Sequence, residues 1–147
     1  MGIDPGEHTG IALYEDGQLK ALSEVQPEDI PQMLVDHVHM VALVVFEDSR
    51  LESAVWTSTG PLPVRLNMAR KVGQIDGFCK IIARTCQKLG IPCHGISPAA
   101  KSGVTSRSTG KKINAAEFER KTGWTGKSND HKRDAAMVAW RYRSGQA

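Results

Sequence analysis

The chain has 147 residues, of which 40% are hydrophobic and 24% are charged, and its formal net charge is +3. This length favours a single domain over residues 1–147, and the ordinary composition argues against intrinsic disorder. No apolar run approaches the roughly 18 residues that cross a bilayer, and the N-terminus lacks the pattern of an export signal. We therefore expect a cytoplasmic protein that does not associate with membranes.

The charges are unevenly distributed along the chain. Residues 1–50 hold 2 Lys/Arg against 10 Asp/Glu, whereas residues 101–147 hold 11 against 4. A solvated surface would explain this asymmetry, and so would a basic nucleic-acid-binding surface beside a cluster of carboxylates that binds cations. Charge alone does not decide between the two interpretations.

The first part of the chain predicts four strands and one helix. Asp16-Gly17 favours a tight hairpin turn, because both central residues of that turn need positive φ. Pro27 suits the first turn of a helix, where its missing N–H costs nothing. The predicted strands are 1–4, 10–14, 18–22 and 40–46, and the predicted helix covers residues 27–38.

The second part predicts one more strand and three helices, separated by two polar loops. The loop over residues 48–63 is long enough to suggest a function. A second loop, over residues 104–112, has no periodicity and should be mobile on the surface. The predicted helices are 64–89, 113–121 and a last one from Ser128 or Asn129 to Trp140, with a strand over residues 91–96.

This order of elements predicts an α/β fold. Three antiparallel strands followed by parallel additions give a mixed five-stranded sheet with helices on both faces. In such sheets functional groups gather where neighbouring parallel strands end. Asp4 and Glu47 each follow an apolar strand, so they should be neighbours if the first and fourth strands pair.

Several polar side chains are candidates for one site. In isolation, Asp4 could simply hydrogen-bond its own turn, and Glu47 could be an exposed strand-end residue. His131 and Asp134 are three residues apart on one helix, and Asp130 is four residues before Asp134. Together, carboxylates of this kind select Mg²⁺ or Mn²⁺, and two such ions can activate water for phosphodiester hydrolysis.

Three motifs in this order resemble the RuvC-type Holliday-junction resolvases. They are Gly2-Ile-Asp4-Pro-Gly6 with Thr9-Gly10, Glu47 after an apolar strand, and His131-x-x-Asp134-Ala135 near the end of the chain. Val72-Gly-Gln74 and Ile96-Ser-Pro98 also look similar to the middle of these proteins. The resemblance extends over nearly the whole chain.

The resemblance implies a ribonuclease-H-like fold, a homodimer, and the nicking of branched DNA, such as a four-way junction, with Mg²⁺ or Mn²⁺ and two ions per site. It assigns Asp4, Glu47, His131 and Asp134 as metal ligands or catalytic groups. Many bacterial members have aspartate where this chain has His131. That residue is therefore either a general acid/base or a ligand that favours Mn²⁺, and Asp130 is a candidate for the missing carboxylate.

Basic residues outside the carboxylate site should bind DNA phosphates. Each alone is more often a solvated surface charge, but as a set they form a candidate track for the DNA backbone. Trp56 and Trp124 are candidates for stacking on unpaired bases, although core or dimer packing explains each of them better. The predicted DNA-binding residues are Arg70, Lys71, Lys101, Arg107, Lys111 and Lys112.

Other functions remain open from the sequence. A nuclease of the same fold that processes RNA would begin with a comparable motif. A junction-binding protein without catalysis would need one of the acids to be out of place. Actin-like sugar kinases have a similar phosphate loop, but they need two such domains, which 147 residues do not provide.

Overall fold

The computed structural model describes residues 1–52, 59–98 and 112–145. The strands are β1 (Gly2–Asp4), β2 (Thr9–Glu15), β3 (Gln18–Val25), β4 (Val44–Glu47) and β5 (Cys93–Ile96). The α-helices are α1 (Ile30–Asp36), α2 (Leu62–Leu89), α3 (Ala115–Thr122) and α4 (Asp130–Ala139). None of the helices in the described ranges is long and apolar enough to cross a membrane.

The five strands form one mixed sheet in the order β3-β2-β1-β4-β5. Strands β1, β2 and β3 are an antiparallel meander, and Asp16-Gly17 supplies its tight turn with φ values of 51° and 77°. Strand β4 then pairs parallel with β1, and β5 pairs parallel with β4. This topology confirms the predicted sheet.

The sheet is covered on both faces. Ile3 and Phe46 pack on one face with α1 and with Ile82 of α2. On the opposite face, Val45 packs against Ala139 of α4. Helix α4 therefore lies on the face of the sheet that carries the Val45 side chain. Gly2, the partner of Val45 on β1, is on the same face.

Strand β4 is shorter than predicted. It begins at Val44, because His37–Met40 turns the chain after α1 and the N–H groups of Met40 and Val41 donate to the His37 carbonyl. Met40 is 73% exposed, so the first part of the apolar run is not a buried strand. An unbroken apolar run does not reveal where a turn ends and a strand begins.

Helix α2 buries fewer of its apolar residues than the sequence predicts. It begins at Leu62, two residues early, because Pro63 is tolerated in the first helical turn. It ends at Gly90, which has φ of 69°. Ile82 is buried as predicted, but Met68 on the same face is 49% exposed, because only the C-terminal half of the helix lies over the sheet. Leu66 is 53% exposed because it lies on the other side of the helix.

Side-chain caps fix the starts of the last two helices. Asn114 accepts from the Glu117 N–H and forms a capping box, so α3 begins two residues later than predicted. Asn129 accepts from the Lys132 N–H and caps α4, which confirms one of the two predicted starts. Of the predicted loop over residues 104–112, only Lys112 lies within the described residues.

Candidate active site

Asp4 and Glu47 lie at the same level of the sheet, at the ends of two neighbouring parallel strands. The register aligns Gly2 with Val45 and Ile3 with Phe46, so the next pair along is Asp4 with Glu47. Because side chains alternate between the two faces along a strand, both carboxylates lie on the face that carries α4. Asp4 is 14% exposed and the Glu47 Oε2 atom is buried. The expected juxtaposition of the two carboxylates is therefore present.

Two glycines allow α4 to pack directly on the strands. A Cβ atom at Gly2 would overlap the Ala135 carbonyl oxygen, and one at Gly10 would overlap the His131 carbonyl oxygen. Neither position can carry a side chain while the helix stays where it is. This backbone contact brings the first turns of α4 to the ends of β1 and β4.

His131 faces Asp4 across this contact. Its Nδ1 atom lies 4.0 Å from Asp4 Oδ2, and its side chain is 44% exposed. The imidazole thus stands at the opening of the site while the Asp4 carboxylate is recessed. The sequence prediction placed both residues in one site, and the structure brings them together.

Asp134 is held by a lysine from outside α4. Lys112 Nζ donates to Asp134 Oδ2 at 2.8 Å, and the Asp134 side chain is 14% exposed. This hydrogen bond raises the pKa of the Lys112 ammonium. Lys112 was predicted to bind phosphate, and the structure places it on a carboxylate of the site.

Asp130 does not join the carboxylates, contrary to the hypothesis that it replaces a missing one. Its side chain is 56% exposed and pairs with Arg133 one turn along α4. Arg133 is buried, and it also donates from Nε to the Ile113 carbonyl at 3.1 Å. Asp130 therefore supports an arginine that ties the chain at Ile113, just before α3, to the helix α4.

The candidate ligands have the chemistry that a hard divalent cation requires, but they are not grouped closely enough to hold one. Asp4, Glu47 and Asp134 supply carboxylate oxygens, the ligands that Mg²⁺ and Mn²⁺ prefer, and His131 adds an imidazole. Among residues 1–52, 59–98 and 112–145, no three such side chains form a group that could hold a metal ion. In this arrangement the Lys112 ammonium neutralises one of the three acids.

Only part of the predicted DNA-binding set lies within the structure. Arg70 and Lys71 are exposed on the N-terminal half of α2. Trp124 is half-buried and packs beside the cluster around Phe118, as core packing predicts. Four predicted positions, Trp56, Lys101, Arg107 and Lys111, fall outside the described residues.

The sequence analysis missed a polar network beside His131. His8 Nδ1 lies 3.2 Å from Glu24 Oε1, and Asn129 Nδ2 donates to Glu24 Oε2 at 2.7 Å. The hydrogen bond from Asn129 holds the pKa of the Glu24 carboxyl below its usual value. His8 lies between Asp4 and Gly10, within the first motif, so the sequence offered a signal for it. Nothing in the sequence indicates that Glu24 contacts Asn129, 105 positions away.

A buried ion pair fixes the chain directly after Glu47. The Asp48 carboxylate accepts from Arg50 Nε and Nη2, both at 2.7 Å, and Asp48 is 5% exposed. The next residue, Ser49, donates to Asp76 of α2 at 2.6 Å. The guanidinium of Arg50 lowers the pKa of the Asp48 carboxyl. These contacts fix the chain directly after β4, and they thereby fix the position of Glu47 at the end of the strand.

Replacing Asp48 with asparagine should reduce stability in a pH-dependent way. Because the folded-state pKa of Asp48 is lowered, its contribution is present above the ordinary aspartate pKa of about 3.9 and is lost as the pH falls through the folded value. We expect Asp48→Asn to lower the free energy of unfolding by about 2 kcal/mol at pH 7. Urea unfolding at pH 7, 5 and 3 should show this difference shrinking toward acid. A difference that stays constant with pH would contradict the assignment, and Asp29→Asn, at an exposed position, is the control.

The mixed sheet of order β3-β2-β1-β4-β5, with helices on both faces, is that of a ribonuclease-H-like α/β fold. No family model and no curated protein matches the sequence of the chain. Among solved structures, RuvC of T. thermophilus in complex with a Holliday junction substrate is similar, with 17% identity and a TM-score of 0.63 over 95% of this chain and 88% of that one. A second Thermus thermophilus RuvC structure has 18% identity and a TM-score of 0.58 over 99% and 96% of the two chains. The shared fold is thus that of RuvC.

Proposed function

We propose that this chain is a divalent-metal-dependent endonuclease that nicks branched DNA at four-way junctions. The observation that carries the proposal is the alignment of Asp4 and Glu47 at one level of the sheet, under the helix α4 that carries His131 and Asp134 and packs directly on the strands. A RuvC structure of the same fold holds a Holliday junction, which supports this substrate class.

Asp4, Glu47 and Asp134 would hold Mg²⁺ or Mn²⁺, with His131 as a further ligand or as a general acid/base. Two ions of this kind activate water and stabilise the leaving oxygen in phosphodiester hydrolysis. Lys112 offsets the charge of Asp134. With Asp134 holding a cation, the Lys112 ammonium would be available to a phosphate of the bound strand.

A second copy of the chain would cover an exposed apolar face of α2. The apolar stripe of α2 that is buried at Cys79 and Ile82 continues at helical spacing toward the N-terminus of the helix, where Met68 and Val64 are 49% and 51% exposed. A stripe of this size is seldom left to solvent, and two-fold symmetry suits the cutting of two strands of a junction. We therefore propose a homodimer that buries this apolar face of α2, which the mass of the protein in solution would test.

The basic residues on α2 should contribute to the salt dependence of DNA binding. Neutralising Arg70 and Lys71 together with glutamine removes up to two phosphate contacts, and the slope of log affinity against log salt should fall by about one to two. The measurement is junction affinity between 50 and 200 mM salt, with chelator present. Lys88→Gln, in the last turn of the same helix, is the matched control. An unchanged slope in the double variant would place the DNA elsewhere.

One experiment tests the proposed function directly. The protein is incubated with labelled four-way junction, linear duplex and structured RNA, with Mg²⁺, with Mn²⁺ and with chelator. Paired nicks that are confined to the junction and require the cation would support the proposal. Preferential cutting of RNA would reassign the chain to the RNA-processing nucleases, and junction binding without cutting in either metal would make it a binding module.

A further inference from the structure

His8 stands at the opening of the candidate site, on the turn between β1 and β2. Its ring centroid is 5.8 Å from that of His131, whose Nδ1 lies 4.0 Å from Asp4 Oδ2. The His8 side chain is 56% exposed, whereas that of Asp4 is 14% exposed. An exposed imidazole therefore lies beside a recessed carboxylate, within reach of a ligand bound at the strand ends.

Glu24 fixes the orientation of the His8 ring. Glu24 Oε1 is 3.2 Å from His8 Nδ1, and Glu24 Oε2 accepts from Asn129 Nδ2 at 2.7 Å. A carboxylate this close to one nitrogen of an imidazole favours a ring orientation in which the other nitrogen is directed away from it. Nε2 is thus the atom of His8 that can contact a ligand.

The same carboxylate also anchors the helix that carries His131. Asn129 uses its Nδ2 for Glu24, and its Oδ1 accepts from the Lys132 N–H at 3.0 Å to cap α4. Glu24 on β3 therefore sets the position of both imidazoles. Groups held in place before a ligand arrives lose less conformational entropy when they bind it.

We infer that His8 contacts the substrate, with Nε2 directed to a phosphate group of the DNA strand bound beside Asp4 and Glu47. Glu24 is its positioning residue. The inference rests on the proposed function, because a phosphodiester is the ligand that places an anion at this opening. The His8 ring then lies between two anions, the Glu24 carboxylate and the phosphate.

Two substitutions at position 8 separate a phosphate contact from a structural role. His8→Asn keeps an amide near the Nδ1 position, which can still donate to Glu24, but it lacks a group at Nε2. His8→Gln places an amide donor near the Nε2 position. We expect His8→Asn to raise the KM for junction cleavage about tenfold, with a smaller change in kcat, and His8→Gln to recover most of this loss. Junction affinity in chelator should change in parallel.

The controls and the contrary outcomes are distinct. His39→Asn, at an exposed position after α1, should leave cleavage unchanged, and urea unfolding should show that all variants are folded. The inference is overturned if His8→Asn binds and cuts like the wild type, or if both His8 variants lose activity equally. Failure of the wild-type protein to cut any junction would instead overturn the proposed function, since that measurement is made first.

Discussion

Replacing Asp4 with asparagine is expected to lower the rate of metal-dependent junction cleavage by about 10³-fold or more. Asparagine has nearly the same shape but carries no charge, so it removes an anionic ligand from the strand end without altering the packing of β1. Junction binding should remain close to that of the wild type, because the proposed phosphate contacts come from other residues. Single-turnover cleavage in Mg²⁺ and Mn²⁺, together with binding in chelator, measures both quantities.

The matched control for Asp4 is the other aspartate of the meander, Asp16. It lies at the β2–β3 turn, at the opposite end of the sheet, and its φ of 51° is one that asparagine also tolerates. Asp16→Asn should therefore cut at the wild-type rate. If Asp4→Asn cut as fast as this control, Asp4 would not be part of the cleavage machinery.

Replacing Gly10 with alanine is expected to lower the free energy of unfolding by about 3 kcal/mol and to reduce cleavage as well. The added Cβ atom would overlap the His131 carbonyl oxygen, which belongs to helix backbone and cannot rotate away as a side chain would. Helix α4 must therefore lift from the sheet, and it carries His131 and Asp134 away from Asp4. Urea unfolding and cleavage rates of the same preparation would show the two losses together.

Gly73→Ala is the control for this substitution. Gly73 lies within α2, and a Cβ atom there would have nothing within 4 Å among the described residues. Alanine favours a helix over glycine by about 1 kcal/mol, so the monomeric fold should become slightly more stable. Equal destabilisation by both substitutions would show that Gly10 is not a special point of contact.

The fold could be predicted because its determinants are local. Asp16-Gly17 identified a hairpin, Asn129 identified a helix cap, and the order of strands left few ways to build a sheet. The pairing of β1 with β4 then placed Asp4 beside Glu47 without knowledge of any contact. The start of β4 was wrong because turn residues and strand residues can be equally apolar.

The rest of the site depends on contacts between distant segments, which short-range patterns do not encode. Lys112 meets Asp134 across 22 positions, and Asn129 meets Glu24 across 105. Each of these residues alone has the appearance of an ordinary surface charge or cap. Similarly, the periodicity of α2 shows an apolar face but not what covers it, so Met68 was expected in the core and is exposed instead.

The glycine contacts between α4 and the sheet also bear on how the site responds to a ligand. With the helix backbone in direct contact with β1 and β2, there is no room for α4 to slide inward or for the strands to rise. Rearrangement of the acids is therefore limited to changes of side-chain rotamer rather than movements of whole elements. The backbone positions that carry these charged groups are thus set during folding rather than when a ligand binds.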